Sequence, residues 1–257
     1  MSVPELASRA RPAEAVDARA GRSPRGIMAP VEKAVAVLML LLTAPLLAVV
    51  AALIRLDSPG PAVFRQRRIG QDRRLKGDRR VRVIPPTGDG SERRNGDRRQ
   101  NDLRGRPFLF YKFRTMRQDA RKDFPQLYAR EVSKDVLSRV YLQVPDDPRV
   151  TRIGRFLRRT SLDELPNFYN VLKGDMGLVG PRPEMVEMAT YYHGEQRLKF
   201  TVMPGITGKA QVSGRGLLNF QDTVSLDVEY VRERSLANDI RLLVRTVVVI
   251  LKGTGAF

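Results

Sequence analysis

Asp163 and Glu164 are adjacent carboxylates inside the densest run of chemistry-bearing side chains in this chain of 257 residues. Residues 149–183 read RVTRIGRFLRRTSLDELPNFYNVLKGDMGLVGPRP. The chain has no Cys, so a thiol nucleophile and a thiolate metal site are excluded. His193 is the sole histidine, which argues against a His-rich metal site or a two-His relay. Carboxylate, hydroxyl and amine remain as candidate nucleophiles.

Cations surround the acid pair in sequence. Arg149, Arg152, Arg155 and Arg158 recur every three residues, with Arg159 beside them, and on a helix they would form a basic face. The planar Arg fork suits phosphate, although such a face also suits solvent or lipid headgroups. Downstream, Arg182 stands between two prolines in Gly180-Pro181-Arg182-Pro183, on a stiffened backbone. A glycine-rich stretch follows, from Pro204 through Gly205, Gly208 and Lys209 to Arg215. It offers N–H groups and two cations but lacks the spacing of a P-loop. It serves equally as a pair of tight turns.

The acids also have a purely local reading. Ser161-Leu162-Asp163-Glu164 matches a capping box, with Pro166 in the first helical turn and Gly174 as the C-terminal stop. On pattern alone, capping is the commoner role. A helix start would nevertheless favour ionised carboxylates and draw phosphate close.

The elements that position these groups can be sketched from the rest of the sequence. A tail at 1–30, rich in Ala, Arg, Pro and Glu, is expected to be disordered and lacks the layout of a secretory signal. Residues 35–54 carry no charge, and twenty residues are about the length of a bilayer-crossing helix. Pro45 interrupts that segment, and basic residues flank both its ends. Positive charge marks the cytoplasmic side, so charge at both ends favours a kinked re-entrant helix, assigned to 31–56, over a spanning one. Residues 62–68 could form an extended segment, and 108–111 form a buried strand. Between them, 72–106 hold twelve Lys/Arg and six Asp/Glu, too polar to offset the entropy of ordering by burial. The apolar run 240–251 is too short to span, so it is either a core helix or an interfacial one. The formal net charge of +18 implies an anionic partner.

At this point the motifs become recognisable. Tyr111-Lys112-Phe113-Arg114-Thr115-Met116, Asp163-Glu164-Leu165-Pro166, Asn170-Val171-Leu172-Lys173-Gly174-Asp175-Met176, Val179-Gly180-Pro181-Arg182-Pro183 and Pro204-Gly205-Ile206-Thr207-Gly208 occur in that order. The chain closely resembles the bacterial sugar transferases, the monotopic polyprenyl-phosphate phosphoglycosyl transferases, over roughly 31–257 apart from the Arg-rich insert. The resemblance implies an α/β, mostly helical fold. A re-entrant membrane helix would precede a small cytoplasmic catalytic domain with interfacial helices, assigned to 57–257 with the insert at 72–106. It implies transfer of a sugar-1-phosphate from a UDP-sugar to undecaprenyl phosphate, with Mg2+, at the cytoplasmic face of the bacterial inner membrane. Products would start exopolysaccharide, capsule, O-antigen or other glycan assembly.

Carried over by position, Asp163 is the nucleophile and Glu164 the metal ligand. Lys112, Arg114, Arg158, Arg182, Arg215 and Asp227 are substrate-binding candidates. Expected partners are the UDP-sugar, undecaprenyl phosphate and anionic lipid of the inner membrane, with no nucleic acid; a homo-oligomer stays open. The sequence departs from the family at Ala44-Pro45, where Ser-Pro is usual, at Asn167 in place of Gln, at Gly177 in place of Ser, and in the insert. Two rival readings remain: a membrane-anchored protein whose basic loops bind nucleic acid or lipid, and a non-catalytic adaptor in a polysaccharide assembly. Neither accounts for the ordered carboxylates.

Overall fold

The computed structural model describes residues 25–72, 105–124, 147–214 and 218–252. Arg215 and most of the expected tail and insert lie outside them, as does most of the polar stretch that follows Asp119. The described residues are mostly helical, with two small sheets.

Helix α1 spans Arg25–Asp57, and the most apolar stretch within Met28–Asp57 has a mean hydropathy of 2.8, apolar and long enough to be a membrane helix. A stripe along it is less exposed than the rest: Glu32, Ala36, Met39, Thr43, Leu47, Val50 and Ile54, at intervals of three and four. That spacing keeps one face toward a neighbour. Ala36 packs with Phe108, Phe110, Val171 and Met176, and Val50 and Ile54 pack with Ala62, Phe113 and Leu157. Leu38, Leu41, Leu42 and Val49, on the other faces, are 52–68% exposed. Pro45 lies inside the helix and leaves the Leu41 carbonyl without its helical donor. The Thr43 hydroxyl donates to the Met39 carbonyl at 2.6 Å. Such a bond to residue i−4 bends a helix but leaves the Leu41 carbonyl free.

Strands β1 (Val63–Ile69) and β2 (Pro107–Phe113) pair antiparallel, with Phe64 opposite Lys112, Gln66 opposite Phe110 and Arg68 opposite Phe108. Alternation therefore gathers Arg68, Phe110 and Lys112 on one face, and Arg65 and Tyr111 on the other. After the short helix α2 (Ala120–Asp123), α3 (Arg152–Thr160) starts at Thr151, whose hydroxyl accepts from the Gly154 amide at 2.9 Å. Helix α4 (Asn167–Lys173) ends at Gly174, whose φ of 77° is the left-handed conformation expected of a C-terminal glycine. Asn170 of α4 covers the free edge of β2: its Oδ1 accepts from the Tyr111 amide at 3.1 Å and its Nδ2 donates to the Leu109 carbonyl at 2.6 Å. One carboxamide thus stands in for a neighbouring strand.

Strand β3 (Gly177–Val179) pairs parallel with β5 (Gly205–Thr207), and β4 (Glu184–Met185) joins β1 through Ile69 and Arg68. The β3–β5 pair explains the two glycine motifs. A Cβ on Gly205 would lie 2.1 Å from the Gly180 nitrogen, and one on Gly208 would lie 2.2 Å from the Gly180 oxygen. The glycines exist so that the Gly180-Pro181-Arg182 turn can press against the second loop. Lys209, at the head of α5 (Lys209–Gly214), pairs with Glu229 of α6 (Phe220–Arg232) and with Glu233 just past its end.

The run at 240–251 lies in α7 (Leu236–Lys252) and is not a core helix. Only Leu242 is buried, while Ile240, Val244, Val247, Val248 and Leu251 are 42–81% exposed on one side. Arg241, Arg245 and Lys252 are exposed beside that apolar face.

Candidate active site

Asp163 and Glu164 sit in a single 3-10 turn, Leu162–Glu164, between α3 and α4. The expected capping box is absent. An N-cap needs extended backbone, but Ser161 has φ 59° because it closes α3 in the left-handed region. Its side chain makes no cap bond, and Glu164 turns elsewhere. Arg182 Nη2 donates to Glu164 Oε1 at 2.9 Å, and Asn167 Nδ2 donates to Oε2. Asn167, one of the departures noted above, therefore has a definite task.

The two carboxylates differ in environment. Asp163 is 7% exposed, and the bonds that hold Glu164 have no counterpart at Asp163 among the described residues. Burial, and then the Glu164 charge, push its carboxyl up to about 6, against the pull of Lys112, Arg182 and Arg158. Burial also disfavours the Glu164 anion, but Arg182 and Lys112 outweigh it and hold that carboxyl below its ordinary range. Arg182 is raised in return by Glu164. One acid is thus fixed and firmly ionised, while its neighbour is less engaged and more basic.

The cations come from three elements. Lys112 rises from β2 and Arg182 from the turn after β3; Arg158 comes from α3 and its Nε donates to Thr115 Oγ1 at 3.0 Å. Burial lowers both Lys112 and Arg158. Gly154 allows this approach, since a Cβ there would meet the Thr115 oxygen at 2.1 Å. The arginines of α3 do not form one face. Arg152, Arg155 and Arg159 point to solvent together with Phe156, Arg158 turns inward, and Arg149 grips Asp147 at 2.6 Å.

The structure does not bring Arg114 or Asp227 to the acid pair. Arg114 is 6% exposed and donates to the carbonyls of Ser58 at 2.6 Å, Ile54 at 3.2 Å and Pro59, closing the end of α1. Asp227 is wholly buried, 3.0 Å from Lys199 Nζ, which also reaches Glu184 at 3.4 Å and the Tyr192 hydroxyl at 3.2 Å. Arg215 lies outside the described residues. Sequence reasoning missed Arg68, whose Nη1 donates to the Pro183 carbonyl at 3.1 Å and whose Cζ lies 5.4 Å from the Phe110 ring centre. Arg182 Cζ lies 5.9 Å from the same ring. Two-residue alternation in the extended 62–68 segment was the signal that could have separated Arg68 from Arg65 and Arg67.

The family model described as bacterial sugar transferase matches residues 26–79 and 93–253. The galactosyl transferase CpsE of Streptococcus agalactiae is 40% identical over 209 residues, covering 79% of this chain and 37% of that protein. A protein of Escherichia coli named UDP-glucose:undecaprenyl-phosphate glucose-1-phosphate transferase is 37% identical over 225 residues, 82% of this chain and 37% of the relative. A Caulobacter vibrioides protein of the same name is 37% identical over 232 residues, 86% of this chain and 68% of the relative. The chain thus spans little more than a third of the streptococcal and E. coli proteins and about two thirds of the Caulobacter one.

Proposed function

The chain belongs to the bacterial sugar transferase family, and from that membership we propose that it transfers a sugar-1-phosphate from a UDP-sugar to undecaprenyl phosphate through a phosphosugar held on Asp163. The transfer would initiate assembly of an exopolysaccharide, capsule, O-antigen or other glycan. One observation carries the division of labour. Asp163 is buried and has no hydrogen-bond donor among the described residues, next to a Glu164 clamped by Arg182 and Asn167.

In the first half-reaction an Asp163 carboxylate oxygen bonds to the sugar-linked phosphorus. The bond from that phosphorus to the bridging oxygen breaks, and its electron pair leaves with UMP. In the second, an oxygen of the lipid phosphate bonds to the same phosphorus, and the pair of the broken bond returns to Asp163. An elevated carboxyl pKa makes the anion a better nucleophile while leaving it mostly ionised at neutral pH. Lys112, Arg158 and Arg182 offset charge on the phosphoryl oxygens in a site of low dielectric.

The acid pair also fits Mg2+. This ion is commonly held by one or two carboxylates together with substrate phosphates. Each Glu164 oxygen accepts one hydrogen bond and keeps a lone pair, so Glu164 and Asp163 would hold the ion. Bound there, it would supply charge neutralisation at the phosphates.

The packing of α1 supports insertion from one membrane face. Contacts with the catalytic domain run from Glu32, which accepts from the Leu178 amide at 3.2 Å, to Ile54. That is about 33 Å along a straight helix. A spanning helix would draw the charged domain through the hydrocarbon, about 30 Å thick. A re-entrant helix leaves the domain on the cytoplasmic side of the inner membrane, with the apolar face of α7 and its Arg241, Arg245 and Lys252 on anionic lipid.

The decisive experiment is intact-mass analysis after incubation with Mg2+ and a panel of UDP-sugars. A sugar-phosphate adduct on the Asp163 peptide is expected with one donor. No adduct and no UMP release with any donor would reject the reading in favour of a binding or adaptor protein.

A further inference from the structure

The charges around the acid pair fall into two poles. Lys112 and Arg158 favour ionised Asp163 from its β2 and α3 sides, and Arg182 does so as well. Arg182 and Arg68 form the other pole, beside Glu164, on either side of the turn that carries Pro183. Arg182 is bonded to Glu164, and Arg68 holds the Pro183 carbonyl. Both guanidinium groups lie within 6 Å of the centre of the buried Phe110 ring, at 5.4 and 5.9 Å. Arg68 Nε is shielded from solvent and has no hydrogen-bond partner among the described residues. Of the acids whose charge reaches Arg68, Glu184 is already engaged by Lys199 and Tyr192, and Glu164 by Arg182 and Asn167. Beside Arg182, the Arg68 guanidinium therefore keeps an unsatisfied donor, an arrangement completed by an anion.

The proposed transfer indicates which anion. Displacement at phosphorus is roughly in line, with the entering and leaving oxygens on opposite sides. Asp163 stands on one side of the phosphorus in both half-reactions. The UMP phosphate leaves from the far side, and the lipid phosphate must enter from that same side. Both anions therefore use one pocket in turn. We infer that Arg68, with Arg182, forms a single phosphate pocket occupied alternately by the departing nucleotide phosphate and the incoming polyprenyl phosphate. Arg68 makes a direct phosphate contact there, and the inference rests on the reaction proposed above.

The test is steady-state kinetics of the full chain in nanodiscs, comparing the unsubstituted protein with Arg68→Gln. UMP is used as product inhibitor, and thermal unfolding monitors folding. Arg65→Gln, on the opposite face of β1, is the control. Loss of a charge-assisted contact should raise KM for the UDP-sugar, KM for polyprenyl phosphate and the inhibition constant of UMP together, each by about tenfold or more, while Arg65→Gln changes none of them. If Arg68→Gln fails to fold, Arg68→Lys keeps the stem and charge but not the fork, and should move the same three constants in the same direction. A rise in the donor constant alone, or reduced thermal stability with all three unchanged, overturns the shared pocket and leaves the transfer reaction standing. Absence of UMP release by the unsubstituted protein would instead overturn the reaction itself.

Discussion

Replacing the proposed nucleophile by its amide should abolish activity and stabilise the protein, and the two effects have the same origin. The Asp163 carboxyl is raised from 3.8 to about 6 by burial and by Glu164. The folded state therefore binds this proton more tightly than the unfolded state does. Stability contributed by the protonated acid is present below about pH 4 and is lost as pH rises through the folded value near 6. Above that the penalty is constant. A shift of about two units, at 1.36 kcal/mol each, corresponds to ~3 kcal/mol at pH 7, and relaxation around the pair reduces it to about 1.5–3 kcal/mol. Asp163→Asn removes the ionisation and with it the penalty. Thermal unfolding in nanodiscs at pH 7 should show a rise of roughly 3–10 °C that shrinks toward zero near pH 4. UMP release should be lost in the variant. In the unsubstituted protein it should fall on acidification as Asp163 takes up its proton, at a pH that drops as Mg2+ is raised. A variant no more stable than its parent at pH 7, or a gain independent of pH, would refute the account of the buried acid; normal turnover would refute its role as nucleophile.

Other substitutions probe the supports. Gly205→Ala places a methyl 2.1 Å from the Gly180 backbone nitrogen. It should destabilise the chain by about 1–3 kcal/mol, read by chemical denaturation, and displacement of Arg182 should lower kcat as well. Arg114→Met leaves three carbonyls at the end of α1 without this donor and should cost about 2–4 kcal/mol; an unchanged unfolding midpoint would mean water satisfies them fully. Single cysteines at Lys33 and Leu56, near either end of the apolar segment, should both react with an impermeant maleimide from the cytoplasmic side only. Labelling from opposite sides would establish a spanning helix.

Local sequence carried much of the architecture. The apolar run of α1, the strand at Phe108–Tyr111, the stop at Gly174 and the prominence of the acid pair all depend on composition, periodicity or one residue's conformational preference. Ordered motifs identified the family resemblance because backbone spacing preserves them. The tertiary structure decided where side chains point. Ser161 matches a capping box by letter, yet closing α3 places it at positive φ and frees Glu164 for Arg182. Arg158 shares a three-residue interval with Arg152 and Arg155, but drift around the helix turns it inward to Thr115. Arg114 stands two residues from Lys112 in one motif, and the end of α1 claims it. Asp227 is sealed against Lys199, while Arg68, inconspicuous among the basic residues of β1, shares the Phe110 ring with Arg182. The acid pair was visible because its residue types and its neighbours lie within one short stretch. Its electrostatic asymmetry was not, because burial and long-range charge depend on elements more than fifty residues apart in the chain, from Lys112 to Asp163.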